Sequence, residues 1–159
     1  MALTKGVNSY CTLLEADAYF ADRLDVAAWN EADETSKSQA LVSATMLLDT
    51  VEFNGYAVST SQMLAFPRVI TYYSPRLGVT VTLDSTSSVP NEIIKACNEL
   101  AYHLLNNDGL LDDTGSVENL SISGINLVDV KSAQKMPTIV RELIKPFKKR
   151  NTSTWWRAN

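Results

Sequence analysis

Residues 90–109, PNEIIKACNELAYHLLNNDG, carry the strongest helix signal in the chain. Pro90 suits the first helical turn, where its missing N–H costs nothing. The apolar residues that follow recur at helical spacing and predict one buried face, made of Ile93, Cys97, Leu100 and Leu104. The polar run 106–109, which ends in glycine, is typical of a helix stop. We expect this helix to form the centre of the core.

Two more helices are predicted before it. Thr12 and Glu15 have the spacing of a capping box, in which a hydroxyl and a carboxylate satisfy amides at a helix start. Leu24 should share the buried face of that first helix. A second helix should run from about residue 35 to residue 52, and Gly55 follows it as a stop.

Two regions have strand character. Residues 69–73 are rich in β-branched and aromatic side chains, residues 74–78 read as a turn, and residues 79–83 alternate between apolar and polar. This pattern predicts a β-hairpin. Residues 120–130 alternate again around a Ser-Gly pair, which fits a second hairpin or a bulged strand.

These elements predict a mainly α fold, a small bundle of about four helices with one or two β-hairpins and an extended C-terminal tail. The fourth helix is short and runs from about residue 137 to residue 145. Residues 29–35 and 110–118 are acidic and are interpreted as loops. We therefore expect one helical domain at residues 1–147, with a hairpin insertion near 69–84, and a tail at residues 148–159.

Charge is divided unevenly along the chain. Residues 1–140 contain 8 Lys or Arg against 17 Asp or Glu, whereas residues 141–159 contain 6 Lys or Arg against one acid. An acidic body argues against nonspecific binding of nucleic acid by most of the surface. The basic end suits an acidic partner.

Few residues are of a type that supports catalysis. Cys11 and Cys97 lack metal-like spacing and are expected to be reduced core residues, although a disulfide between them is open. His103, the only histidine, follows Glu99 by four residues, which favours a helix-surface pair over a catalytic base. No phosphate-binding, dinucleotide or metallohydrolase motif is present. We expect no enzyme activity, no cofactor, no metal and no membrane span.

The tail has the most informative composition. It holds adjacent tryptophans among basic residues, namely Lys148, Lys149, Arg150, Trp155, Trp156 and Arg157. Burying one indole removes about 150–250 Å² from water, worth about 4–6 kcal/mol before ordering costs. Three interpretations remain open: the indoles bind another protein, fold back on their own body, or stack on single-stranded nucleic acid.

Several segments together resemble a phage family labelled DnaT-like single-stranded-DNA-binding protein. They follow one another in the family's order and span residues 9–147: SYCTLLEADAYF at 9–20, Trp29, the helix at 40–49, FNGY at 53–56, LAFPR at 64–68, VPNEIIKA at 89–96, ELA at 99–101 and LIKPF at 143–147. Two features depart from the pattern. Residues 70–86 are longer and more strand-like, and Trp155-Trp156 is an addition.

Such proteins look like head-to-tail adaptors, or head-completion proteins, of tailed phages. The resemblance implies a virion protein of the neck, made in the host cytoplasm, that assembles as a ring of twelve copies under the portal protein. The tail would dock on the portal, a downstream tail or neck protein would bind below, and duplex DNA would pass through without specific binding. Because residues 70–86 depart from the family pattern, we expect a projecting hairpin there to contact a neighbouring copy or a tail protein through Tyr72, Tyr73, Arg76, Val79 and Val81. The alternative is a single-stranded-DNA-binding protein of phage replication.

Overall fold

The computed structural model describes residues 2–106, 119–122, 125–128 and 136–149, with the two shortest ranges described as backbone only. Its helices are α1 (Leu13–Ala21), α2 (Ala27–Glu31), α3 (Glu34–Asp49), α4 (Asn91–Asn106) and α5 (Thr138–Ile144). Its strands are β1 (Tyr56–Ala57), β2 (Arg68–Ser74), β3 (Val79–Leu83), β4 (Asn119–Ile122) and β5 (Ile125–Val128).

The prediction of a mainly α bundle is wrong, because the described chain forms a mixed α/β fold. Strands β1, β2 and β3 make one antiparallel sheet in that order. The sheet contributes to the core through Ile70, which is buried, and through the buried rings of Phe53 and Phe66 at its margin. The expected hairpin is therefore part of a sheet that packs with the helices.

Helix α4 lies at the centre of the core, as its sequence pattern predicted. Ile93, Ala96, Cys97, Leu100 and Ala101 have no exposed surface. The helix packs against α1, α2, α3 and α5. All four of these helices therefore contact α4, which places it at the centre of the described helices.

Helix α1 begins as predicted and ends earlier. The Thr12 amide donates to Glu15 Oε2 at 2.8 Å, and the Glu15 amide donates to Thr12 Oγ1 at 3.2 Å, which completes the capping box. The helix stops at Ala21. Leu24 is consequently 91% exposed, and the expectation that it shares the buried face is wrong.

Residues 29–35 are not simply a loop, because α2 covers part of them. Trp29 within α2 is buried, and its ring lies 4.4 Å from that of Phe20. The indole Nε1 donates to Asp17 Oδ1 at 2.9 Å. Burial of this large ring, whose indole N–H is hydrogen-bonded, stabilises a helical turn that the acidic composition of the segment did not predict.

Gly55 does not end a helix. Helix α3 ends at Asp49, and Gly55 lies beside β2 with φ +72. A Cβ at this position would lie 2.0 Å from the carbonyl oxygen of Val69. The glycine is therefore required by the close approach of two backbone segments next to the β1–β2 pair.

The predicted hairpin is present as the β2–β3 pair, and the second strand-like segment, for which a hairpin and a bulged strand were both open, forms the β4–β5 pair. In the β2–β3 pair, Tyr72 stands opposite Val81 and Thr71 opposite Thr82. Strands β4 and β5 pair only with each other and form a separate sheet. The turn at residues 123–124 and the expected loop at 110–118 lie outside the described residues.

Both cysteines are core residues. Cys11 and Cys97 are free and fully buried. Cys11 Sγ lies 3.1 Å from Asn98 Oδ1, and Cys97 Sγ lies 3.3 Å from Thr45 Oγ1. Across the described parts of the chain, no helix is long and apolar enough to cross a membrane.

Candidate functional site

A groove of about 770 Å³ lies between the segment that follows α3 and the helix α5 with its C-terminal extension. Its floor includes the apolar side chains of Val51, Met136 and Ile144. Its charged side chains are Arg141, Lys145, Lys148 and Lys149, opposed by Glu52 and Glu142. We call this the α5 groove.

The α5 groove is the main concentration of positive charge in the described residues. It holds four of the ten lysines and arginines there, against two acids. The described residues outside the groove include six basic and eleven acidic residues. The groove therefore has a net positive charge, while the rest of the described chain is acidic.

Two of the four cations are only weakly neutralised. Lys145 pairs with Glu142 at 2.9 Å and Lys149 with Glu52 at 3.8 Å, with all four side chains more than half exposed. Exposed pairs of this kind contribute about 0–1 kcal/mol and open readily for a competing anion. Arg141 and Lys148 are exposed and make no ion pair with any described residue.

The core fixes the position of the groove lysines. The Phe147 ring is fully buried, 4.5 Å from Tyr72 and 5.9 Å from Phe66. The Asn54 amide donates to the Phe147 carbonyl, and the Lys149 amide donates to the Glu52 carbonyl, each at 2.9 Å. This anchored extension holds the lysines that flank Phe147 on the rim.

Part of the basic character has a structural purpose. Lys145 is the C-terminal cap of α5, and cations at a helix C-terminus are stabilised by the helix dipole. Arg141 lies in the last turn of the same short helix and is stabilised in the same way. The dipole does not account for Lys149 beyond the helix, and the four cations around the groove together suit an extended anionic ligand.

The structure places only some of the residues proposed for the tail. Lys148 and Lys149 lie on the groove rim. The proposed contact residues Arg150, Trp155, Trp156 and Arg157 lie outside the described residues. Because the chain leaves the described part at Lys149, the ten residues that follow start at the groove and can span up to about 33 Å.

The proposed hairpin residues differ in accessibility. Tyr73 and Val79 are more than half exposed, and Arg76 is exposed as well. Tyr72 and Val81 are half-buried, and burial raises the pKa of the Tyr72 phenol. The Tyr72 ring packs on Phe147, so it serves the core as well as the surface.

Sequence reasoning missed Arg141 and Lys145 as site residues. Their signal was present, because Arg141, Lys145 and Lys148 are spaced by four and three residues and so share one side of a helix. Because the predicted boundary between the domain and the tail was placed at residue 147, the basic charge was assigned to the tail alone. The structure instead joins the tail's first two lysines to α5.

Two buried polar clusters elsewhere stabilise the fold. Glu99, which is buried on α4, accepts from the Tyr19 hydroxyl at 2.6 Å and pairs with Arg23 at 3.0 Å. Asp49 accepts from the Tyr10 hydroxyl and from the Ala65 amide. Burial, and then the bond to Asp49, raises the pKa of Tyr10, so its hydroxyl stays a donor.

These clusters link helices to each other and to the sheet margin, and neither opens into the α5 groove. In the described ranges, no group of three His, Cys, Asp or Glu side chains could hold a metal ion.

The fold and the groove define a small mixed α/β protein with an acidic body and one basic surface groove. The chain belongs to the family described as "Putative DnaT-like ssDNA binding protein", whose model matches residues 2–158. The resemblance to this family is thereby confirmed, whereas the comparison does not support an adaptor assignment. No curated protein and no solved structure matches the chain.

Proposed function

We propose that this protein binds single-stranded DNA through the α5 groove and the residues that follow it. The observation that carries the proposal is the cluster of Arg141, Lys145, Lys148 and Lys149 around one groove in an otherwise acidic chain. Membership of a family described as single-stranded-DNA-binding supports the same ligand.

The chemistry of the groove suits a phosphate backbone. Lysine and arginine neutralise phosphates and release counterions, which makes the affinity dependent on salt. Residues 150–159 continue from the groove with two more cations and with Trp155 and Trp156. Aromatic side chains stack on unpaired bases with little sequence preference, at about 1–3 kcal/mol per base. Groove and tail together would hold a strand by its backbone and its bases.

Binding of a labelled oligothymidine, measured by fluorescence anisotropy across a salt series, tests this proposal. Four phosphate contacts give a slope of log K against log salt of about −3, and six give about −4. Lys148→Glu should weaken binding about tenfold or more at low salt, because it reverses one charge in the groove.

Lys95→Glu is the matched control. Lys95 is exposed on α4, away from the groove, and its reversal changes the net charge by the same amount. We expect its affinity to stay near that of the unchanged protein. Equal losses in the two variants would contradict a role for the groove, and absence of binding at low salt would reject the function.

A second candidate is the head-to-tail adaptor of a tailed phage, favoured by the acidity of the remaining surface. With six basic and eleven acidic residues outside the groove, most of the described chain would repel DNA. In this role the same groove and tail would dock on an acidic surface of the portal protein. A ring of about twelve copies would sit in the virion neck above a tail protein, and duplex DNA would slide through.

The exposed apolar residues of the β2–β3 hairpin also suit a protein partner. Tyr73, Leu77 and Val79 are each more than half exposed at its outer end. Mixing the protein with a purified portal, followed by negative-stain imaging, tests this role. A ring on the portal, with no oligonucleotide binding at about 150 mM salt, would favour the adaptor; salt-dependent oligonucleotide binding without portal association would favour the first proposal.

A further inference from the structure

Arg68, the first residue of β2, directs its guanidinium group at backbone carbonyl groups. Its Nη2 donates to the Gly55 carbonyl oxygen at 2.8 Å and to the Phe53 carbonyl oxygen at 3.4 Å. Its Nε donates to the Asn54 carbonyl oxygen at 2.9 Å, and its Nη1 donates to that of Ala65 at 3.3 Å. Three successive carbonyl groups thus accept from one cation, which fixes the path of that backbone segment.

The contacts of Arg68 require the shape of its side chain as well as its charge. A guanidinium group presents five N–H donors in a rigid plane, whereas the ammonium group of lysine is a point charge with three donors. A lysine at this position would keep the charge and lose most of the four hydrogen bonds. Arg68 forms no ion pair with any described residue and does not line the α5 groove, so its bonds to carbonyl groups account for its position.

The segment that Arg68 holds is also the segment that holds the basic extension after α5. Residues 52–54 pair antiparallel with residues 147–149 through two main-chain hydrogen bonds of 2.9 Å. The Asn54 side chain adds a hydrogen bond from its Nδ2 to the Lys148 carbonyl oxygen at 3.2 Å. Asn54 therefore contacts Arg68 through its carbonyl oxygen, and it contacts the extension through its amide and its side chain.

The position of two groove cations depends on this pairing. Lys148 and Lys149 supply two of the four cations of the α5 groove, and both side chains are exposed. Lys148 makes no ion pair with any described residue, and the pair between Lys149 and Glu52 is exposed and 3.8 Å long. Because such side-chain contacts are weak, the backbone pairing with residues 52–54 sets where the two charges lie. The Phe147 ring anchors only the start of the extension.

We infer that Arg68 is a positioning residue of the α5 groove. It fixes residues 53–55, these residues fix the extension, and the extension presents Lys148 and Lys149 to an anionic ligand that Arg68 does not touch. The inference rests on the proposed function only for the identity of that ligand. It gives a role to the arginine that ends the LAFPR segment at 64–68.

Amide hydrogen exchange of the Arg68→Lys variant tests the positioning without any ligand. The Lys149 amide donates to the Glu52 carbonyl oxygen and reports on the pairing. The amide of Leu100, in the buried part of α4, reports on the stability of the whole fold. Measured residue by residue by NMR, exchange at Lys149 should be at least about tenfold faster in the variant, while exchange at Leu100 changes much less.

Gln62→Ala is the matched control. The Gln62 side-chain amide also donates to two carbonyl groups at the margin of the sheet, those of Leu64 at 2.6 Å and Pro67 at 3.1 Å. It donates to none in residues 53–55. Exchange at Lys149 should therefore stay the same in this control variant.

Several outcomes would overturn the inference. Unchanged exchange at Lys149 in Arg68→Lys would show that the extension is held without the guanidinium group. Parallel increases at Lys149 and Leu100, an equal increase in Gln62→Ala, or an Arg68→Lys variant that does not fold would each show that Arg68 serves the fold as a whole.

Oligonucleotide binding tests the consequence for the groove. Loss of two ordered phosphate contacts in Arg68→Lys should reduce the slope of log K against log salt by about one. Lys148→Ala combined with Lys149→Ala should weaken binding at least about tenfold at low salt in the unchanged protein. On the Arg68→Lys background the same two alanines should weaken it less than about threefold, because the lysines no longer lie in the groove.

Equal losses from the two alanines on both backgrounds would also overturn the inference, because the lysines would then act independently of Arg68. Absence of oligonucleotide binding by the unchanged protein would instead reject the proposed function. The exchange rate at Lys149 would still decide the role of Arg68.

Discussion

Replacing Phe147 with alanine should destabilise the whole fold and release the basic extension at the same time. The ring is fully buried and contacts Phe66 and Tyr72, while the backbone next to it is bonded to Glu52 and Asn54. Removing the ring leaves a cavity at the junction of the sheet and α5. The lysines on the groove rim then lose the anchor that positions them.

The expected loss in free energy of unfolding follows from the cost of truncating a buried aromatic residue. A Phe→Ala change in a core costs about 3–5 kcal/mol, which combines lost transfer energy with the cavity. In a chain of this size each kcal/mol lowers the melting temperature by about 2–4 °C, so Phe147→Ala should melt roughly 6–20 °C lower. Phe147→Leu fills most of the space and should cost about 1–2 kcal/mol.

Urea denaturation followed by circular dichroism gives the free energies of unfolding. Oligonucleotide binding is then measured at a temperature where both variants are folded. We expect Phe147→Ala to bind more weakly than Phe147→Leu, because only the alanine frees the rim lysines. A loss under about 1 kcal/mol for the alanine would refute the reasoning, since the ring would not be buried as described.

Three further changes have outcomes fixed by local structure. Gly55→Ala should lower the free energy of unfolding in urea melts by more than about 2 kcal/mol, because φ is positive and the new Cβ would clash with the Val69 carbonyl. Gly6→Ala is the control: φ is also positive but the space is open, so the cost should be about 1–2 kcal/mol. The Lys5 ammonium, followed by the helix N-cap, lowers the pKa of Glu15. The stability that the ionised Glu15 carboxylate contributes is complete above the unfolded-state pKa near 4.5 and is lost as pH falls through the lower folded-state pKa. Glu15→Gln and the unchanged protein should therefore converge in stability only at strongly acidic pH. Alanines at residues 155–156 should weaken oligonucleotide binding by about 2–6 kcal/mol, since two stacking side chains are lost, with an unchanged melting temperature. A lower melting temperature would place the indoles in the core.

The elements that sequence predicted best are those with a local physical cause. The stripe of α4 and the capping box at Thr12 depend on spacing within a few residues, and both are present. Helix α2 depends on burial of Trp29 against Phe20 of α1, a contact between two different helices. Strand β1 has two residues and exists because Gly55 lets the backbone approach β2. Such tertiary causes leave almost no periodic signal.

The site was predicted in part for the same reason. The basic composition of the tail is visible in the sequence, and so is the helical spacing of Arg141 and Lys145. Their union into one groove depends on Phe147, whose burial brings residues 147–149 beside 52–54. The role of Phe147 as an anchor was not predicted, because nothing within its own segment distinguishes it from a surface aromatic residue.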